Sequence, residues 1–214
     1  MTIHLLTLFP EMFKGPFSQS IVDRAQKKSL VGIKVHNLRQ WAIDARGTVD
    51  GRPYGGGVGM VLRPEPIFAA VNEIKKTLTG QTKIILTTPR GKKYTQATAR
   101  KLSRIDNLII ICGHYEGYDE RITTVVDEQI SIGSYILTGG EIPAMVIIDS
   151  VVRLIPGVLT KPEAIEKESF TKRGVLEHPQ YTRPEVFAGL RVPEILLSGN
   201  HGEVDRWRTT AKRG

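Results

Sequence analysis

The chain carries a single cysteine, Cys112, in 214 residues. That excludes an intrachain disulfide framework and any zinc site built on several thiolates, and it fits a reducing compartment. Its five histidines, His4, His36, His114, His178 and His201, form no HxxxH-type pair, so neither a structural nor a catalytic zinc is expected. No stretch reaches the roughly 18 apolar residues of a membrane span. Met1–Pro10 lacks the basic leader of a secretory signal, and the sequence reads as unprocessed, soluble and cytoplasmic. Also missing are the glycine signatures of two common nucleotide sites. Gly57-Val-Gly59 lacks the third glycine of GxGxxG, and nothing matches a Walker A loop.

What is present is ordinary globular material, 40% hydrophobic and 24% charged, enough for one large domain and a small appendage. The formal net charge of +8 favours a polyanionic partner, because Lys and Arg gain affinity by displacing counterions from phosphates. Its distribution says more than its total. Seven basic residues and no acidic one lie between Lys83 and Arg104, whereas Asp106–Asp149 holds eight acidic residues and only Arg121. Two solvated faces of opposite sign explain this on charge alone; a basic rim for RNA is the sharper alternative.

Short apolar runs at Ile3–Phe9, Val31–Val35, Ile84–Leu86 and Leu108–Cys112 predict strands. Amphipathic patterns near Phe17–Lys28, Glu65–Leu78, Thr95–Ser103 and Gly140–Leu154 predict helices. The alternation implies an α/β domain with a mainly parallel sheet. Leu108-Ile-Ile-Ile-Cys112, apolar throughout, belongs at its centre. Thr160–Arg173 is polar without a strong period and reads as a linker or mobile loop, and the remainder reads as a small helical appendage.

Three glycine-rich connections can bring backbone amides close to a ligand: Asp50–Gly59, Cys112–Arg121 and Ser131–Glu141. Taken singly, each is explained by turn geometry. The second follows the central strand and therefore lies at the carboxyl edge of the sheet, where ligands usually bind. There Glu116 can act as a base, an acceptor or a metal ligand, and Tyr115 can stack on a base or cover the core. Cys112, closing an apolar strand, reads as a small buried hydrophobe.

Taken together, these segments resemble the knotted tRNA (guanine-N1)-methyltransferases that modify tRNA position 37. The matching stretches are Leu8-Phe-Pro-Glu-Met-Phe13, Thr48–Gly57, Cys112-Gly113 with Tyr115-Glu-Gly117 and Asp119-Glu-Arg121, Ser131-Ile-Gly133, Gly139–Met145, Asp149-Ser-Val151, Ile155–Leu159, Tyr181–Glu185 and Leu197-Ser-Gly-Asn-His201. They run in one order over nearly the whole chain. The resemblance implies a SPOUT-type α/β domain with a deep C-terminal trefoil knot over residues 1–159, a linker over 160–173 and a small helical tRNA-binding domain over 174–214, working as a homodimer. Family members continue with more helix past Trp207-Arg208, which implies a reduced or partial appendage here.

By the same resemblance, S-adenosylmethionine is held by Thr87, Thr88 and Pro89, by Gly113, Tyr115, Glu116 and Gly117, and by Ile132, Gly133, Ser134, Tyr135, Ile136, Leu137, Gly139 and Gly140. Mg2+ beside Glu116 is admissible. Asp50 and Arg52 are implied to meet the anticodon loop, and Asn200, His201, Arg206 and Arg208 the stem. Methylating guanine N1 requires removal of its proton, which a positioned carboxylate accepts, and stabilisation of charge growing on O6. The family uses an aspartate in a Glu-Asp-Ser-Phe motif together with an arginine. The matching residues are Glu168, in Lys167-Glu-Ser-Phe170, and Arg153. Glutamate keeps the carboxylate and adds one methylene. A non-catalytic RNA-binding protein on the same scaffold predicts no cofactor binding, and a knotted ribose 2′-O-methyltransferase predicts methylated ribose instead of base.

Overall fold

The computed structural model describes residues 1–161, 165–166, 168–171 and 174–211. In chain order the strands are β1 (Thr2–Thr7), β2 (Gly32–Asn37), β3 (Asp50–Gly51), β4 (Val61–Leu62), β5 (Thr82–Lys93), β6 (Asn107–Cys112), β7 (Glu128–Ser131), β8 (Val186–Phe187) and β9 (Leu190–Arg191). The helices are α1 (Ser20–Lys27), α2 (Pro64–Lys76), α3 (Gln96–Leu102), α4 (Glu141–Val152) and α5 (His201–Thr210). The chain divides into two compact units, Met1–Thr160 and Lys161–Gly214.

Five strands of the first unit form a sheet in the order β2-β1-β6-β5-β7, every pairing parallel. As its sequence requires, β6 is central, and all six of its residues are buried. Their side chains alternate between two cores. Leu108, Ile110 and Cys112 join a cluster with α1, α3 and α4, while Ile109 and Ile111 join one with α2. β6 is thus covered on both faces, which is why its run is continuously apolar. The edge strand β7 gave no such signal, because Glu128-Gln-Ile-Ser buries only Ile130. Lys83 holds its Glu128 at 2.7 Å, and Arg90 holds Glu120 at 2.6 Å. The basic and acidic stretches of the sequence therefore meet in part as ion pairs.

The second unit differs from the helical appendage expected. Besides α5 it contains the antiparallel β8–β9 hairpin, in which Phe187 faces Leu190 across Ala188 (φ 51°) and Gly189 (φ 79°). Two positive φ values are what a two-residue hairpin turn demands, and alanine in the first position hid the turn from pattern reading. Within the 160–173 stretch, Ile165 and Glu166 are helical. Phe170 N–H donates to the Val175 carbonyl at 2.7 Å, closing a turn where only a linker was expected. Lys167, Lys172 and Arg173, also in that stretch, lie outside the described residues, as do residues 162–164.

One interaction in the sheet carries a pH signature. On β1, His4 is 2% exposed, and its Nδ1 lies 3.0 Å from His36 Nε2 on β2, with the ring planes within 6° and the centroids 5.1 Å apart. The nitrogens meet edge to edge, so one ring supplies the N–H and the other the lone pair. His4 Nε2 is buried without a partner, which favours the tautomer that donates from Nδ1 and leaves no N–H stranded. Burial, and then the positive charges of His36 and Lys34, push His4 down to about 4. Burial and Lys34 also lower His36, opposed by Glu73. The unfolded chain binds these protons more readily, so stability is lost as pH falls below about 6.5, by about 3 kcal/mol at pH 4 for His4 alone. Urea titrations of the native chain and of His4→Leu should show a shallower decline for the variant between pH 6.5 and 4.5; parallel curves would remove His4 from the account.

Candidate functional site

The ladder between β5 and β7 is interrupted. Thr87 pairs with Ile130, but so does Lys92, and the residues between them loop out. Pro89, which has no N–H to give a ladder, sits in this break. Thr87, Thr88 and Pro89 thereby form one wall of a cleft of about 400 Å³, within the usual range for small-molecule sites. The loop after β6 adds Gly113, Tyr115, Glu116 and Gly117, and the segment after β7 adds Ile132, Gly133, Tyr135, Ile136, Leu137, Gly139 and Gly140. Of the residues read from sequence as cofactor-holding, Ser134 alone does not line this cleft. Six lining residues were missed: His114, Tyr118, Ile130, Ser131, Thr138 and Pro143. His114 was legible, since it stands directly between Gly113 and Tyr115 in the same loop.

The three segments are drawn together at Gly140. Its N–H donates to the Gly113 carbonyl at 2.7 Å, and the buried Thr87 hydroxyl bonds the carbonyls of Ile111 (3.1 Å) and Gly140 (3.3 Å). A methyl group on Gly140 would meet the Thr87 hydroxyl, lie 2.6 Å from Gly113 N and 2.8 Å from Cys112 Cα. Only glycine allows this approach. Tyr115 is held at φ 59°, a left-handed conformation that costs a non-glycine residue on the order of 1 kcal/mol or more. Its loop is braced from outside by Glu116 N–H on the Met60 carbonyl (3.1 Å) and Leu62 N–H on the Gly117 carbonyl (3.0 Å). The first glycine-rich loop thus lies against the second. Gly59 sits so near Glu116 that a Cβ there would be 3.0 Å from Oε1.

The electrostatics are specific. Among the described residues no Lys or Arg lines the cleft, and Glu116 is its one carboxylate. A di- or triphosphate therefore has nothing to neutralise it, whereas a nucleoside-sized ligand finds aromatic faces at Tyr115 and Tyr135 and many backbone groups. Just beneath the lining, Glu141 is buried and accepts from the Thr7 hydroxyl at 2.7 Å. That hydroxyl in turn accepts from Phe9 N–H at 2.9 Å. Burial, and then the nearby charge of Glu141, push the Cys112 thiol well up, so it is no nucleophile at neutral pH.

The other sequence-read residues lie elsewhere. Asp50 begins the short β3–β4 hairpin and Arg52 is exposed beyond it. Arg153 caps the far end of α4; at about 1.5 Å per residue it lies roughly 20 Å along the helix from Gly140, and it is not among the residues that line the cleft. Glu168, Asn200, His201, Arg206 and Arg208 belong to the second unit. There the Glu168 carbonyl accepts from Thr171 N–H and hydroxyl. Asn200 caps α5 by accepting from Glu203 N–H at 3.3 Å, and Arg208 pairs with Asp205 at 3.1 Å. Replacing Gly140 with alanine should destabilise the first unit by about 1–3 kcal/mol, the cost typical of overpacking. Denaturant melts of the Gly140→Ala chain measure this, and a stability equal to that of the native chain would show that the contact is not tight.

Comparison with known sequences bears on the cleft directly. The family described as tRNA (Guanine-1)-methyltransferase TrmD matches residues 1–214. The chain is 55% identical over 208 residues to a tRNA (guanine-N(1)-)-methyltransferase of Dictyoglomus turgidum, covering 97% of this chain and 83% of that one. It is 52% identical over 209 residues to the Bacillus subtilis protein of the same name, covering 97% and 86%.

Proposed function

This chain belongs to the tRNA (guanine-1)-methyltransferase family, and from that premise we propose that it methylates N1 of guanosine 37 of tRNA, with S-adenosylmethionine as donor, giving 1-methylguanosine and S-adenosylhomocysteine. The observation that supports this reading is the convergence of all but one of the fifteen residues read from sequence as cofactor-holding on one cleft that, among the described residues, no Lys or Arg lines. The donor set fits the cofactor. Its adenosine finds Tyr115, Tyr135 and the backbone of the glycine loops, and its positive charge meets acidic rather than basic groups. When bound, it supplies an electrophilic methyl carbon.

The chain's own residues must then free the nucleophile. The lone pair of guanine N1 is unavailable while its proton is in place, so Glu168 would accept that proton and free N1 for the methyl group that the bound cofactor would supply. General-base catalysis of this kind contributes roughly 10²–10⁴-fold. Arg153 stabilises the charge growing on O6. Because α4 places Arg153 far from its own protomer's cleft, the working unit is a homodimer in which a second copy brings its own. The apolar side chains that α4 and its neighbours leave exposed, Ile142, Val146, Phe9 and Met12 among them, support that pairing, since contiguous exposed apolar surface marks interaction sites. The tight return of the post-β7 segment between the loops after β5 and β6 supports a trefoil-knotted domain. Asp50 and Arg52 serve the anticodon loop, Asn200, His201 and Arg208 the stem, and Mg2+ can sit at Glu116. No helix among the described residues is long and apolar enough to cross a membrane, and a cytoplasmic site of action accords with the tRNA substrate.

Incubation with labelled cofactor and a tRNA bearing unmodified guanosine 37 should yield labelled 1-methylguanosine on digestion; label in a ribose would point to the 2′-O-methyltransferase instead. The Glu168→Gln chain should lose roughly 10²–10⁴-fold in single-turnover rate, with cofactor affinity within about twofold by calorimetry. A variant that still turns over at the native rate would move the base elsewhere.

A further inference from the structure

Glu141 opens α4 and is 2% exposed. Among the described residues it makes no ion pair, and its one hydrogen bond runs from the Thr7 hydroxyl to Oε1. That hydroxyl in turn accepts from Phe9 N–H. The first turn of α4 adds a partial positive charge beside the carboxylate. Its other oxygen is set against the cleft lining: a Cβ on Gly139 would collide with Oε2 and lie 2.9 Å from His114 Nδ1. Both Gly139 and His114 line the cleft, and His114 Nδ1 is itself buried without a partner. A carboxylate this buried without a cation is costly unless something supplies the missing charge.

We propose that Glu141, one glycine behind the cleft wall, is the electrostatic complement of the cofactor's sulfonium and so determines the preference for S-adenosylmethionine over S-adenosylhomocysteine. This rests on the reading that the cleft holds that cofactor. Donor and product differ there by a methyl group and one unit of charge, so a fixed negative charge acts on one and is nearly blind to the other. Placing it behind Gly139 keeps the carboxylate out of contact with the methyl carbon, where it would compete as a nucleophile. Methyl transfer removes the positive charge, the attraction goes with it, and the product's hold on the enzyme weakens. Glu116 lies on the opposite, Gly59 side of the loop and is exposed, so its charge is screened by solvent.

Calorimetry on the full chain with each ligand tests this. Glu141→Gln keeps shape and removes charge. It should weaken S-adenosylmethionine binding about tenfold, the equivalent of about 1.4 kcal/mol, while S-adenosylhomocysteine changes by less than about threefold. Equal losses for both ligands would make Glu141 a packing residue and overturn the proposal. So would an unchanged ratio, the result expected if His114 supplies the balancing charge. Should Glu141→Gln fail to give a cooperative thermal melt, Glu141→Asp, which retains the charge but withdraws it by a methylene, must lower the ratio part of the way, and a native ratio there would also overturn it. If the native chain binds neither ligand, the cofactor reading fails, and the failure is distinct from that of Glu141.

Discussion

The site depends on one close approach, that of Gly140 to the chain just past the central strand. The N–H of Gly140 on the Gly113 carbonyl and the Thr87 hydroxyl on the carbonyls of Ile111 and Gly140 bind the mid-strand break of β5, the end of β6 and the segment after β7 into one cluster of polar contacts. No side chain at Gly140 could be admitted without parting them. Because these bonds are buried, each must be made, and they fix where α4 begins. The start of α4 then decides the rest: Gly139 is pressed to the cleft wall, Glu141 is driven under it, and Pro143 closes the floor. A binding site made of backbone rather than long side chains has few rotamers to order, which suits a cleft that must recognise a ligand mainly by shape.

How far the sequence foretold this varied with the kind of information each part needs. The centre of the sheet was legible because Leu108–Cys112 is apolar at every position, a pattern that only a strand covered on both faces sustains. The edge strand β7 was not, since Glu128 and Gln129 are polar and half-buried and its place is set by pairing with β5, a long-range fact. The glycine loops were visible as glycine loops. What they hold came only from the ordered set of motifs, because a turn and a ligand cradle need the same backbone freedom. His114 was legible only by its place between Gly113 and Tyr115; its packing edge-on against Phe9 and Tyr115 at 4.8 Å is a long-range fact. The β8–β9 turn was hidden by Ala188, which adopts a conformation its residue type rarely chooses.

Charge was the most ambiguous signal and became the most informative one in three dimensions. The basic stretch Lys83–Arg104 is not a single surface. Lys83 and Arg90 are spent on Glu128 and Glu120, while Lys92, Lys93, Lys101 and Arg104 remain exposed. The acidic stretch likewise divides: Glu128 and Glu120 enter these pairs, Asp119 pairs with Arg121, Glu116 lines the cleft and Glu141 is buried just behind it. Two of the seven cations thus meet carboxylates of the acidic stretch, and four stay exposed. Cations stand on the outside, where a polyanion can displace their counterions, and anions stand at a cleft whose proposed ligand is a cation.

That separation bears on why the proposed base stands outside the first unit. A carboxylate placed permanently beside a sulfonium would neutralise it and present a nucleophile to its methyl. Glu141 escapes this because Gly139 stands between it and the cleft. A general base has no such option, since it must reach the proton it removes. The base we propose, Glu168, sits in a turn of the second unit closed by Phe170 N–H on the Val175 carbonyl, and so is not stored in the lining of the cleft.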